Sequence, residues 1–144
     1  MPQTPQTYEN HTRFDPPYTF FLGPVALLSV PFALWTLWQN PGLATVAHVV
    51  AALAFVIAVV KIRTYALKVQ DRVIRLEERL RLMELLPEKT RKRIGELTEG
   101  QLVALRFASD AEVPALVEKV LETGMKGKEI KMAIQTWRPD YFRV

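Results

Sequence analysis

Forty-five consecutive residues, 16–60, contain no Lys, Arg, Asp or Glu. The chain has 144 residues, and the other 99 hold all 34 charged side chains, 19 basic and 15 acidic. Uniform globular domains rarely segregate charge in this way, because each needs a polar surface around its own core. Length and composition exclude a disordered chain, a disulfide scaffold and a large two-domain enzyme. The chain contains no cysteine, so thiol nucleophiles, Cys-ligated metals and disulfides are excluded as well.

The uncharged run divides in two. Its first part is Tyr18–Trp38, YTFFLGPVALLSVPFALWTLW. As a helix it measures roughly 31 Å, enough for a ~30 Å hydrocarbon core. The turn signal QNPG follows at 39–42. Leu43–Val60, LATVAHVVAALAFVIAVV, then supplies a second and slightly shorter span. A helical hairpin with both ends on one side of a bilayer is expected. The remaining chain is too short and too charged to bury two helices that are apolar all round. Arg13 precedes the first span, seven bases from Lys61 to Arg81 follow the second, and the turn has no base. The positive-inside rule therefore places both termini in the cytoplasm. Tyr18, Phe20, Phe21, Trp35 and Trp38 suit the two interfaces.

Ala44, Ala47, Ala51, Ala54 and Ala58 recur at spacings of 3 and 4. They form the expected close-packing seam of the second span, against Gly23, Ala26 and Ala33 with Ser29 nearby, or against another copy. Pro24 and Pro31 can bend the first span. His48 is the single ionisable side chain inside the run. Near the outer interface it reads as a neutral histidine bonded to a carbonyl or water, with proton sensing or partner recognition as the functional alternative.

Residues 61–86 read as a basic amphipathic helix. Ile62, Val69, Leu76 and Met83 recur every seven residues, and Ala66, Val73 and Leu80 form a neighbouring track. The second span is expected to run into this helix without a break, and Pro87 to end it. Three coverings compete for it: anionic lipid headgroups, a second copy in a short coiled coil, and the chain's own C-terminal part. Interleaved acids such as Glu77 and Glu78 favour the last two, and they argue against nucleic acid as a partner.

Residues 87–144 read as a small helical domain. Thr98 and Gln101 have capping-box spacing. Ser109 or Asp110 is expected to cap the next helix, and Gly124 and Gly127 to end it. A last helix is expected over Lys128–Trp137. Trp137, with Tyr141 and Phe142, either closes a core or anchors a partner. Before the first span, Asn10, His11, Arg13 and Asp15 crowd beside Pro16-Pro17. They read as a polar clamp on the basic helix or on lipid phosphate, or else as a plain juxtamembrane tail.

No dinucleotide fingerprint, P-loop, HExxH or nucleophile elbow occurs. The acidic pairs Glu77–Glu78 and Glu118–Glu122 can occupy helix surfaces, and carboxylate pairs at this density are expected by chance. No catalytic, cofactor or metal residues are assigned, and an enzyme is not expected.

YENHTRFDPPYTFF at Tyr8–Phe21, LLPEKTRKRIGELTEGQLVALRFASDAEVPALVEKVL at Leu85–Leu121 and KEIKMAIQTWRPDYFRV at Lys128–Val144 carry a resemblance. The chain is similar over nearly its whole length to a family of small bacterial membrane proteins known as a domain of unknown function. The resemblance implies a two-span protein with a cytoplasmic helical region and implies no activity.

The expected fold is an all-α membrane protein: a juxtamembrane segment (1–17), a transmembrane hairpin (18–60), a basic amphipathic helix (61–86) and a small cytoplasmic helical domain (87–144). The expected role is a membrane anchor that presents a helical surface to a copy of itself or a membrane-protein partner, through Val69, Val73, Leu76, Leu80 and Trp137. The alternative is an oligomeric channel or transport-accessory subunit using Pro24, Pro31 and His48.

Overall fold

The computed structural model describes residues 5–11 and 15–140. Among them are six α-helices and no strand. They are α1 (Gly23–Gln39), α2 (Leu43–Leu85), α3 (Glu88–Arg91), α4 (Glu99–Leu105), α5 (Val113–Thr123) and α6 (Gly127–Ala133). The chain forms two compact units, one of residues 15–68 and one of residues 5–11 with 69–140.

In the first unit, a π-helical turn at Pro17–Leu22 leads into α1, which together with α2 makes two helices long and apolar enough to cross a membrane. Pro24 explains the widened turn. Its ring would clash with the carbonyl four residues back, and it has no N–H to donate there. Gly23 N–H instead reaches the Tyr18 carbonyl, five residues back. Asp15 caps the entry, its side chain accepting from Tyr18 N–H at 3.3 Å and its carbonyl from Thr19 N–H at 2.8 Å. Thr45 Oγ1 ties the α1–α2 turn by donating to the Asn40 carbonyl at 2.8 Å. Arg63 lies 3.9 Å from the Asp15 carboxylate and 5.5 Å from the centre of the Tyr18 ring, so the two helices run antiparallel.

The face of α2 that packs in this unit differs from the expected one. All five alanines of the expected seam, Ala44, Ala47, Ala51, Ala54 and Ala58, are exposed. Ala52 and Val59 are buried instead, as are Ala26 and Ala33 of α1. Small residues let helix backbones approach closely. Ala26 and Ala33 supply them, so α2 can offer a valine to the contact.

In the second unit, α4, α5 and α6 close a core around Phe107, with Leu102, Leu105, Val113, Val117, Val120 and Ile130 fully buried. The capping box at α4 forms: Gln101 N–H donates to Thr98 Oγ1 (3.4 Å) and Thr98 N–H to Gln101 Oε1 (2.8 Å). Gly124 ends α5 at φ 69°, a left-handed conformation that disfavours a β-carbon. Gly127 starts α6 where an added Cβ would lie 3.0 Å from the Gly100 carbonyl, so a side chain there would push α6 off α4.

Two local expectations are corrected. Neither Ser109 nor Asp110 places a side-chain cap on α5, whose first turn is held by Val113 N–H donating to the Ser109 carbonyl. The Asp110 carboxylate is engaged by Arg81 instead. The last helix stops at Ala133 rather than Trp137. Beyond it, the Glu112 carboxylate accepts from Gln135 N–H (2.9 Å) and Thr136 N–H (3.1 Å). Arg138 N–H donates to the Phe107 carbonyl (2.7 Å), and Trp137 bridges Ala108. These long-range acceptors draw the segment into extended form in place of a further helical turn.

Candidate interaction surface

Within the second unit, α2 shows two apolar faces. Ile74 and Leu82 are buried along one line of the helix with Glu78 between them, and Leu86 is buried just past its end. Leu82 and Leu86 belong to the core that contains Phe107. This face covers the C-terminal helices. Val69, Val73, Leu76, Leu80 and Met83 lie on the other face, with exposures from 49% (Val73) to 63% (Val69). The side chains singled out from the seven-residue repeat are therefore the uncovered ones. Scattered exposed leucines are ordinary, but five apolar side chains at heptad spacing make a continuous strip.

The buried face carries a charged node. Arg81 Nη1 donates to both Glu78 oxygens, at 3.0 and 3.3 Å. Its Nε donates to Asp110 Oδ1 at 2.8 Å, and its Nη2 to the Ala108 carbonyl at 2.7 Å. One guanidinium thus ties α2 to the loop before α5. Burial pushes the Glu78 carboxyl above the usual carboxylate range, and the Arg81 charge and hydrogen bond partly oppose that rise. A cleft of about 850 Å³ lies alongside, lined by Glu77, Glu78, Arg81, Arg106, Asp110 and Arg138 among others. Arg106 pairs with Asp140 at 3.2 Å.

Several of the bases from Lys61 to Arg81 have protein partners. Arg75 pairs with Glu99, Arg81 with Glu78 and Asp110, and in the first unit Arg63 faces Asp15. Exposed pairs contribute little singly, but the largely buried Arg81 fixes how α2 is rotated against the core. The sequence pattern did not separate Arg81 from its neighbours. The signal available was its closeness to Glu77 and Glu78 on the same helix. That signal does not specify Asp110, which lies far along the chain.

Asp15 belongs to the first unit, as cap and as neighbour of Arg63. Asn10 and His11 belong to the second. Arg13 lies outside the described residues, as do Tyr141 and Phe142. His11 packs in an aromatic group, with ring centres 5.8 Å from Tyr8, 5.6 Å from Phe107 and 5.7 Å from Trp137. Its Nδ1 lies 2.6 Å from the Tyr8 carbonyl, which can only accept, so that nitrogen carries the proton. Nε2 then accepts from Lys131 Nζ at 3.1 Å. The Trp137 ring lies tilted against Phe107, 5.1 Å between centres, and packs against the core. Gln6, which sequence reasoning passed over, exchanges two hydrogen bonds with the Asp140 backbone, at 2.8 and 3.1 Å. His48 lies exposed on the apolar part of α2.

The chain belongs to the DUF6526 family, a family of unknown function, which it matches over residues 1–144. No curated protein and no solved structure matches it.

Proposed function

We propose that this DUF6526 member is a non-enzymatic anchor of the bacterial inner membrane that presents the uncovered face of α2 to another polypeptide. The π-helical turn, α1 and the apolar part of α2 form the transmembrane hairpin. Both termini and the helical domain lie in the cytoplasm, as the placement of basic residues around the spans favours. One observation carries the reading. The domain's core takes in Leu82 of α2 and Leu86 just past its end, and Val69, Val73, Leu76, Leu80 and Met83 stay exposed. A membrane anchor alone has no need of a second apolar strip beyond the bilayer, and such a strip is the signature of an interaction surface. The non-enzymatic part rests on the sequence, which carries none of the phosphate-cradling, metal-ligand or nucleophile-elbow motifs.

The test replaces Val73 and Leu76 with glutamate in the full chain and extracts native membranes gently. Membrane insertion and the melting of the helical domain are expected to stay as in the parent, while the extracted assembly falls to the mass of a single chain. An assembly of unchanged mass would overturn the proposal. Topology is read separately, because the chain has no cysteine of its own. Asn40→Cys is expected to react with an impermeant maleimide from the periplasmic side, and Lys89→Cys only after the membrane is opened.

A further inference from the structure

We propose that the uncovered face of α2 is occupied by α2 of a second copy, as a parallel, in-register, two-stranded coiled coil over Val69–Met83. This deepens the anchor reading and rests on it. Val69, Val73, Leu76, Leu80 and Met83 are spaced 4, 3, 4 and 3 apart, the alternation of core positions in a heptad. Val73 and Leu80 take the a position, and Val69, Leu76 and Met83 take d. The central pair, β-branched Val73 at a and Leu76 at d, is the combination that favours two parallel strands.

The flanking charges identify the occupant. In this register Arg72 and Arg79 take the g positions, and Glu77 and Glu84 take e. In a parallel dimer each g residue faces the e residue five positions on in the other chain. Arg72 then meets the partner's Glu77, and Arg79 meets the partner's Glu84, twice each by symmetry. Every flanking contact joins opposite charges. An antiparallel pairing would instead set Arg72 against the partner's Arg79, and glutamate against glutamate. All four side chains are exposed, and none has an ion pair among the described residues. By contrast Arg75 and Arg81, at positions away from the seam, are paired within the chain. A lipid surface fits less well, since Glu77 and Glu84 would be pressed toward anionic headgroups.

Geometry leaves room for the second copy. At 3.6 residues per turn, the buried set Ile74, Glu78, Leu82 and Leu86 lies roughly 160° around the helix from the seam. The core of the domain is thus on the far side from the contact, while its Arg106, Asp110 and Arg138 share a cleft with Val73, Glu77, Leu80 and Glu84 along one flank of the seam. Two chains inserted the same way in one membrane also meet in parallel without further cost. The seam covers about two heptads, shorter than the three or four that mark a sustained coiled coil. Membrane tethering supplies what length lacks, by raising the effective concentration of one helix near the other.

The test uses full-length chain in native membranes, with single cysteines at Val69, Val73, Leu76 and Leu80 and off-seam controls at Lys68 and Asp71. Facing core positions of a parallel dimer fall within disulfide reach. Oxidation is expected to join like to like at all four seam positions and to leave both controls as monomer. Like-to-like bonds at only one seam position, or a bond between cysteines placed at Arg72 and Arg79, would show an antiparallel pair and overturn the proposal. In a second arm, R72E/R79E and E77R/E84R are each expected to lose the dimer. Co-expressed, they are expected to regain it as a mixed pair, because every g–e contact then joins opposite charges again. Failure to regain it would overturn the assigned register. Seam crosslinks solely to a different protein would overturn the second-copy assignment and leave the anchor reading standing. Correctly inserted chain with no crosslink of any kind would remove both.

Discussion

Truncating Leu82 to alanine removes three carbons from a side chain that has no exposed surface. At about 0.8 kcal/mol per buried methylene, the transfer loss alone is about 2.4 kcal/mol. The cavity left among well-packed neighbours raises the total to about 3–4 kcal/mol. For a unit of this size each kcal/mol moves Tm by about 4–8 °C, so a fall of about 12–32 °C is expected. Leu76, earlier on the same helix, is 61% exposed. Its truncation removes less than about 1 kcal/mol from the isolated chain, because most of its surface is already in solvent. Trp137 is a suitable reporter, lying 5.1 Å from Phe107 in the same unit. In a Trp35→Phe, Trp38→Phe background its fluorescence follows the melting of that unit alone. The comparison is made in detergent at a dilution that keeps the chain monomeric, since association would add a concentration-dependent share to Tm. A Leu76→Ala loss as large as that of Leu82→Ala, or a Leu82→Ala Tm equal to the parent's, would refute the assignment of the two faces.

Two further outcomes follow from the geometry. Burial raises the Glu78 carboxyl above its ordinary value near 4.5, so the fold prefers the protonated form. That contribution is complete below pH 4.5 and is lost as pH rises through the raised value. Glu78→Gln is expected to flatten this decline in a Tm-against-pH series, and an unchanged slope would show that Glu78 is not its source. In the first unit, Ala33→Leu overpacks a position that is 5% exposed, at a cost of about 1–3 kcal/mol. It is expected to lower crosslinking between cysteines placed at Tyr18 and Arg63, while Ala51→Leu on the exposed face leaves the yield unchanged. Equal effects would reverse the packing faces of α2.

Much of this molecule was legible in order of sequence separation. The two uncharged runs, the turn at 39–42, the unbroken helix up to Pro87 and the Thr98–Gln101 capping box depend on residues a few positions apart, so composition and spacing reveal them. The heptad strip was equally plain as a pattern. What spacing left open was its covering, because α2 has a second apolar face through Ile74 and Leu82, continued by Leu86 past its end. Periodicity shows that a face is apolar and does not say which neighbour lies against it.

The remaining misreadings share one physical cause. The alanines of α2 formed the tidier pattern, yet packing uses Ala52 and Val59, because Ala26 and Ala33 of α1 already permit close approach. The last helix lost its final turn to the Glu112 carboxylate, a partner distant in sequence. Arg81 looked like one surface base among seven until Glu78, Asp110 and the Ala108 carbonyl converged on it. His11 packs with Phe107 and Trp137, partners far along the chain that its sequence neighbours do not reveal. Local chemistry, read from the sequence alone, set where helices start, stop and turn apolar. The tertiary structure decided which apolar face is spent inside the chain and which is left for another molecule, because that choice depends on contacts between residues far apart in sequence.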